Sequence, residues 1–158
     1  MNRFFDTVGD VSTQFAPWVT TSQGLDPSVS WFILKSPLYF RSDIAGGVMT
    51  VPTGFVSDLA SIPKAAWTVF ADPDAPFIEL GAWFHDYMYH RSGAVTLDQD
   101  DPGRLPIKKV LSRKDADRIL AYECMPELGA KRWQQHAVYW VLRMFGGSSW
   151  GPRKGGTA

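Results

Sequence analysis

The sequence predicts an α+β fold, a small antiparallel sheet in the N-terminal half followed by a three-helix C-terminal half. Three observations carry that expectation. Branched and aromatic residues gather in two short runs before residue 52, with Gly46-Gly47 between them as a hairpin turn. Beyond residue 76, apolar residues recur at helical spacing in separate stretches. Ser112 with Asp115 three residues on is a capping-box variant that opens one of those helices.

Residues 1–28 mix Gly, Ser, Thr and Pro with isolated aromatics and show no period, so they read as an arm lying on the body or on a partner. The globular domain is placed at 29–147. Its first strand lies in "SWFILKSPLYFRSD", interrupted by Pro37 at a bulge or edge, and its second runs through Val51. Pro63 opens a short turn or helix through Trp67 and Phe70, and "ADPDAP" is a loop. A helix is predicted from Phe77 to Arg91. The Gly-, Pro- and Asp-rich run from Ser92 to Val110 is expected to be a loop excursion. The Ser112-capped helix ends before Gly129. A third helix spans Ala130–Phe145, with Trp133, Ala137, Trp140, Val141 and Met144 on one stripe, and Trp133, Trp140 and Phe145 are assigned to the core. Residues 148–158 form a Gly-rich tail.

Composition narrows the function. Sixteen basic and sixteen acidic residues leave no net charge, which argues against a nucleic-acid partner. A single cysteine, Cys124, excludes an intramolecular disulfide and a cysteine-based metal site. No apolar run reaches membrane-spanning length, and the N-terminus lacks a signal-peptide core. The chain is expected to be made in a reducing cytoplasm.

Polar residues on apolar faces are the candidate site. His85 shares a helical face with Ile78, Gly81, Met88 and Tyr89, so it points inward. Asp86 is rotated by about 100° from it, at the edge of that face. Asp117 shares a face with Leu120, Ala121 and Cys124, where an unpaired carboxylate would be expensive. Its cheapest partner is the inward imidazole of His85 on a facing helix. Such a pair fixes the imidazole tautomer and leaves the other ring nitrogen to take a proton, as a general base does. Asp58 and Asp86, with loop carbonyls, suit a hard cation, calcium above all; zinc is less natural with one well-placed imidazole. Ser61 caps the turn before Pro63 or serves as a nucleophile. Asp115 is a cap, Arg118 a surface or salt-bridge residue, and His90 and His136 face solvent or an interface.

The runs "TVPTGFVSDLASIP", "AWFHDYMYH", "SRKDADRILAYECMPELG" and "AVYWVLRMFG" resemble, in order, a domain-of-unknown-function family widespread in tailed bacteriophages and prophages. The similarity covers roughly residues 30 to 150. It implies a phage-encoded protein and no established activity; the link from Gly93 to Leu111 is longer than the family's usual one. The order Asp-x-x-Ser-x-Pro, His-Asp-x-x-Tyr, Asp-Arg is also similar to the bacterial branch of the secreted phospholipase A-two enzymes. That similarity implies His85 as general base, Asp117 as its orienting carboxylate, and Asp58 and Asp86 as calcium ligands completed by backbone oxygen near Leu59. The chain departs from those enzymes in having no disulfides and in placing a sheet before the motif.

Two functions follow. One is a hydrolase, metal-assisted, acting on a phospholipid or peptidoglycan bond of the host cell envelope during entry or lysis. The other is a virion-associated structural or tail-assembly protein, in which the His/Asp cluster is scaffolding and the arm and tail order on other phage proteins.

Overall fold

The computed structural model describes residues 4–5, 13–15, 31–59, 77–98 and 105–152. The predicted turn from Pro63 to Phe70, the "ADPDAP" loop, Ser61 and the end of the Gly-rich tail lie outside them. Among the described residues the architecture is α+β, as the sequence predicts, with two small antiparallel sheets and three helical segments. The first sheet has the order β1 (Phe4–Phe5), β4 (Leu38–Ser42), β5 (Gly47–Val51), β7 (Ala94–Asp98), β8 (Ile107–Val110), and the second the order β2 (Thr13–Phe15), β3 (Phe32–Leu34), β6 (Val56–Ser57). β1 (Phe4–Phe5) and β2 (Thr13–Phe15) come from the predicted arm, and each pairs with one of the sheets. β3 (Phe32–Leu34), β4 (Leu38–Ser42), β5 (Gly47–Val51) and β6 (Val56–Ser57) follow.

Pro37 falls between β3 and β4, where its missing N–H costs no ladder bond. The β4–β5 hairpin pairs Leu38 with Val51 and Phe40 with Met49, and all four side chains are buried. A latch reached from far along the chain fixes its turn. Ser42 Oγ donates to Glu123 Oε2 at 2.5 Å, and the backbone N–H groups of Asp43 and Ile44 donate to Glu123 Oε1 at 3.0 and 3.1 Å.

Helix α1 (Phe77–His90) is enclosed, residues 81–89 being buried without a break. The sequence placed Asp86 at the edge of an inward face. A helix apolar almost all round is instead a central one, and Asp86 is buried with the rest. Phe84 packs on Phe40 at 5.6 Å between ring centroids. Gly81 lets the next helix cross closely, since a Cβ there would lie 2.6 Å from Leu120 Cδ1.

The stretch after α1 corrects the expected loop. β7 (Ala94–Asp98) and β8 (Ile107–Val110) form a hairpin that extends the first sheet, β7 pairing with β5. In β7 the alternation of buried Val95 and Leu97 with exposed Thr96 is an ordinary strand signal, hidden in the sequence by the polar residues around it.

α2 (Arg113–Ile119) opens on the predicted cap: Asp115 N donates to Ser112 Oγ at 3.1 Å and Ser112 N to Asp115 Oδ2 at 3.3 Å. It continues through a π-helical turn (Leu120–Cys124) into α3 (Met125–Glu127). Pro126 has no N–H to give the carbonyl four residues back, while Met125 N–H bonds to Leu120 O across the wider turn. α4 (Arg132–Phe145) buries Val138 and Leu142. Its Trp133, Trp140 and Phe145, assigned to the core from sequence, are exposed, as is Met144. Spacing gave the stripe correctly but chose the wrong side of the helix.

Candidate active site

Four of the six residues singled out in the sequence meet between α1 and α2. The helices pack against each other, and His85 Nε2 lies 3.2 Å from Asp117 Oδ1 with both side chains wholly buried. Since a carboxylate can only accept, the proton on that side of the ring belongs to Nε2. Tyr89, one turn along α1 from His85, donates its hydroxyl to the same Asp117 oxygen at 2.5 Å. The ring of Tyr89 also lies 4.0 Å from that of His85, centroid to centroid. Gly146 makes room for this hydroxyl, since a Cβ there would stand 2.7 Å from it.

Two arginines absent from the sequence reading complete Asp117. Arg143 Nη1 on α4 donates to Oδ2 at 2.8 Å, and Arg113 Nη1 lies 3.9 Å from the same atom. Arg113 also donates to the carbonyls of Leu142 and Arg143, tying the start of α2 to the end of α4. Arg143 follows the inward Leu142 by one position, a weak signal for a side chain reaching around the helix. Burial pushes the Asp117 carboxyl up, but the hydrogen bonds from His85, Tyr89 and Arg143 outweigh it and hold the group below 3.8. Burial and the bond to Asp117 push the Tyr89 phenol well above its ordinary value, so it stays a donor.

The other side of the His85 ring differs. Nδ1 is buried with no hydrogen-bond partner among the described residues. The nearest charge is Asp86 Oδ1 at 3.9 Å, an ion-pair separation too long for a hydrogen bond. Burial lowers the affinity of the imidazole for a proton. The hydrogen bond to Asp117 and the closeness of Asp86 overcome that and raise its pKa above 6.5. The proton gained goes to Nδ1, on the side of the ring nearer Asp86.

Asp86 accepts a hydrogen bond from Ser57 Oγ on β6, and Ser57 Oγ in turn accepts from Leu59 N at 2.9 Å. Leu59 is held at φ +54°, a left-handed conformation costly for a leucine. Ser57 was missed from sequence, where nothing local marks it as the partner of Asp86. Asp58, half-buried, is the next residue along. Asp58 and Asp86, the two expected cation ligands, offer carboxylate oxygens, a donor type that suits calcium better than zinc. Among the described residues, no three His, Cys, Asp or Glu side chains approach closely enough to hold a metal.

The bystanders behave as their positions require. Arg118 pairs with Asp115 at 3.8 Å on the surface, and exposed His136 packs on Tyr122. His90 is half-buried against Phe55. Glu123 was overlooked although Ile119 and Leu120 share its helical face, the same kind of signal that exposed Asp117.

A family model described as "Protein of unknown function (DUF1353)" matches residues 32–142, which include β3, the His85–Asp117 pair and most of α4. No curated protein and no solved structure matches the chain. With that match spanning most of its length, the chain belongs to the DUF1353 family of proteins of unknown function.

Proposed function

We propose that this chain is a bacteriophage-encoded hydrolase that cleaves an ester of the host cell envelope, with His85 as its general base. One observation carries the reading: the imidazole is fixed at Nε2 by Asp117 while Nδ1 is left without a hydrogen-bond partner among the described residues. A buried imidazole that served only packing would be expected to satisfy both nitrogens.

In the reaction, Nδ1 takes a proton from water as the water oxygen attacks the carbonyl carbon. Asp117 stabilises the resulting imidazolium through Nε2–H, and Asp86 stabilises it through space. Collapse of the tetrahedral intermediate breaks the carbon–oxygen bond to the leaving alcohol, which takes the proton back from Nδ1. Tyr89 and Arg143 hold the carboxylate still. A calcium ion held by Asp58 and Asp86 would supply positive charge beside the developing oxyanion. Because His85 is buried, access for substrate requires displacement of whatever covers the ring.

The test is fatty-acid release from dispersed phospholipid, and fragment release from peptidoglycan, by the full chain and by His85→Gln, with calcium or chelator. Release from phospholipid that is lost in His85→Gln supports the reading. No fatty-acid release from phospholipid under any condition removes it, and fragment release from peptidoglycan alone points to a different bond.

That complete burial favours a second reading, in which the chain is a virion or tail-assembly protein and the cluster pins β6, α1, α2 and α4 together. Thermal unfolding separates the two. A calcium-specific rise in midpoint that vanishes in Asp58→Asn supports the metal-assisted site. No shift with calcium, magnesium or zinc, together with a large stability loss in Asp58→Asn, supports scaffolding.

A further inference from the structure

Helix α4 leaves a large apolar surface uncovered. Trp133 is 57% exposed, Trp140 60%, Met144 64% and Phe145 57%. Trp133, Trp140 and Met144 are separated by seven and four residues, so they form one stripe roughly opposite the buried Val138 and Leu142. Single exposed apolar residues need no explanation, but two indoles, a thioether and a phenyl ring on one short helix do.

Charge distinguishes the occupants. The helix "RWQQHAVYWVLRMF" contains no Asp or Glu, and Lys131 and Arg132 stand at its start. Arg143 spends its charge on Asp117, while Lys131 and Arg132 at the start of the helix are exposed. A second copy of the same face would bring like charges together, so self-association is disfavoured. Indole rings over an apolar stripe, bordered by cations and without acids, match the boundary of an anionic bilayer. Fourteen residues span about 21 Å, too short to cross a membrane, so the helix would lie along the surface.

We infer that the outer face of α4 is a docking surface for an anionic phospholipid bilayer. Its rings enter the headgroup boundary while Lys131 and Arg132 meet lipid phosphates. The same helix supplies Arg143 to Asp117, so the docked face and the candidate site share one rigid element. Docking does not depend on turnover. A chain that binds vesicles without releasing fatty acid retains this surface and loses the proposed activity.

The test is flotation of the full chain with phosphatidylglycerol vesicles and with phosphatidylcholine vesicles. The wild type is expected to float with the first and much less with the second. Trp133→Ser/Trp140→Ser should weaken binding by about tenfold or more. Lys131→Glu/Arg132→Glu should weaken it by about fivefold or more per charge, with a steep salt dependence. Ile107→Ser/Val110→Ser, which removes exposed apolar residues of β8, should bind as wild type and controls for general stickiness. Equal flotation with both lipids would overturn the inference, as would binding indifferent to the α4 substitutions. So would a dimer in sedimentation equilibrium that the tryptophan substitutions abolish.

Discussion

Two buried carboxylates, six residues apart on one continuous helical run, are satisfied in different ways. Glu123 accepts from a serine hydroxyl and two backbone N–H groups of the β4–β5 turn. Asp117 accepts from His85, Tyr89 and Arg143, and through the imidazole its influence passes on to Nδ1 and Asp86. The serine hydroxyl and the two backbone N–H groups are neutral and come from one tight turn, which is enough to fix a hairpin against a helix. The donors to Asp117 include a titratable ring with a nitrogen to spare. The comparison teaches that burial of a carboxylate does not mark a site; what its partners can still do marks it.

Breaking the charged cluster should produce the largest effect. Asp117→Asn leaves Arg143 and a protonated His85 without their counter-charge, and a loss of about 3–5 kcal/mol is expected in chemical denaturation. The same variant should abolish ester release even where it remains folded. Glu123→Gln keeps one acceptor oxygen and should cost about 1–3 kcal/mol, with turnover per folded molecule unchanged. Tyr89→Phe removes one of the two donors to Asp117 Oδ1 and should cost about 1 kcal/mol. Because it loosens the carboxylate that orients His85, it should also lower kcat while leaving KM nearly unchanged.

The pH dependence sharpens the contrast. His85 is raised in the folded state, so its contribution to stability is complete below pH 6.5 and fades as pH rises through the higher folded value. Asp117 is lowered, so its contribution is complete above pH 3.8 and is lost as pH falls through the lower folded value. Turnover needs neutral Nδ1, so the rate should rise with pH to an inflection above 6.5. Denaturation midpoints measured across that range should move the opposite way to the rate.

Much of this was legible in the sequence because helical periodicity ties distant positions to one face. His85, Tyr89 and Asp117 each fell on an apolar face, and their meeting needed only that the two helices pack together. Capping by Ser112 and Asp115 was equally local. Asp86 was misplaced because periodicity assumes a solvent side, and α1 has hardly any. The outward stripe of α4 fails for the related reason that a row of apolar residues does not say whether the body or a partner covers it. β7 and β8 were lost among Asp, Gly and Pro. The Arg143 and Ser57 contacts depend on how α4 and β6 approach the two central helices, which no local pattern encodes.

The central claim is that the two nitrogens of His85 are unequal, one fixed and one available. The most direct measurement is the ¹⁵N chemical shift of the His85 ring through a pH titration of the full chain. The account predicts that neutral His85 carries its proton on Nε2 and that Nδ1 titrates above 6.5. A neutral form protonated at Nδ1, or a ring that does not titrate while the chain stays folded, would contradict it.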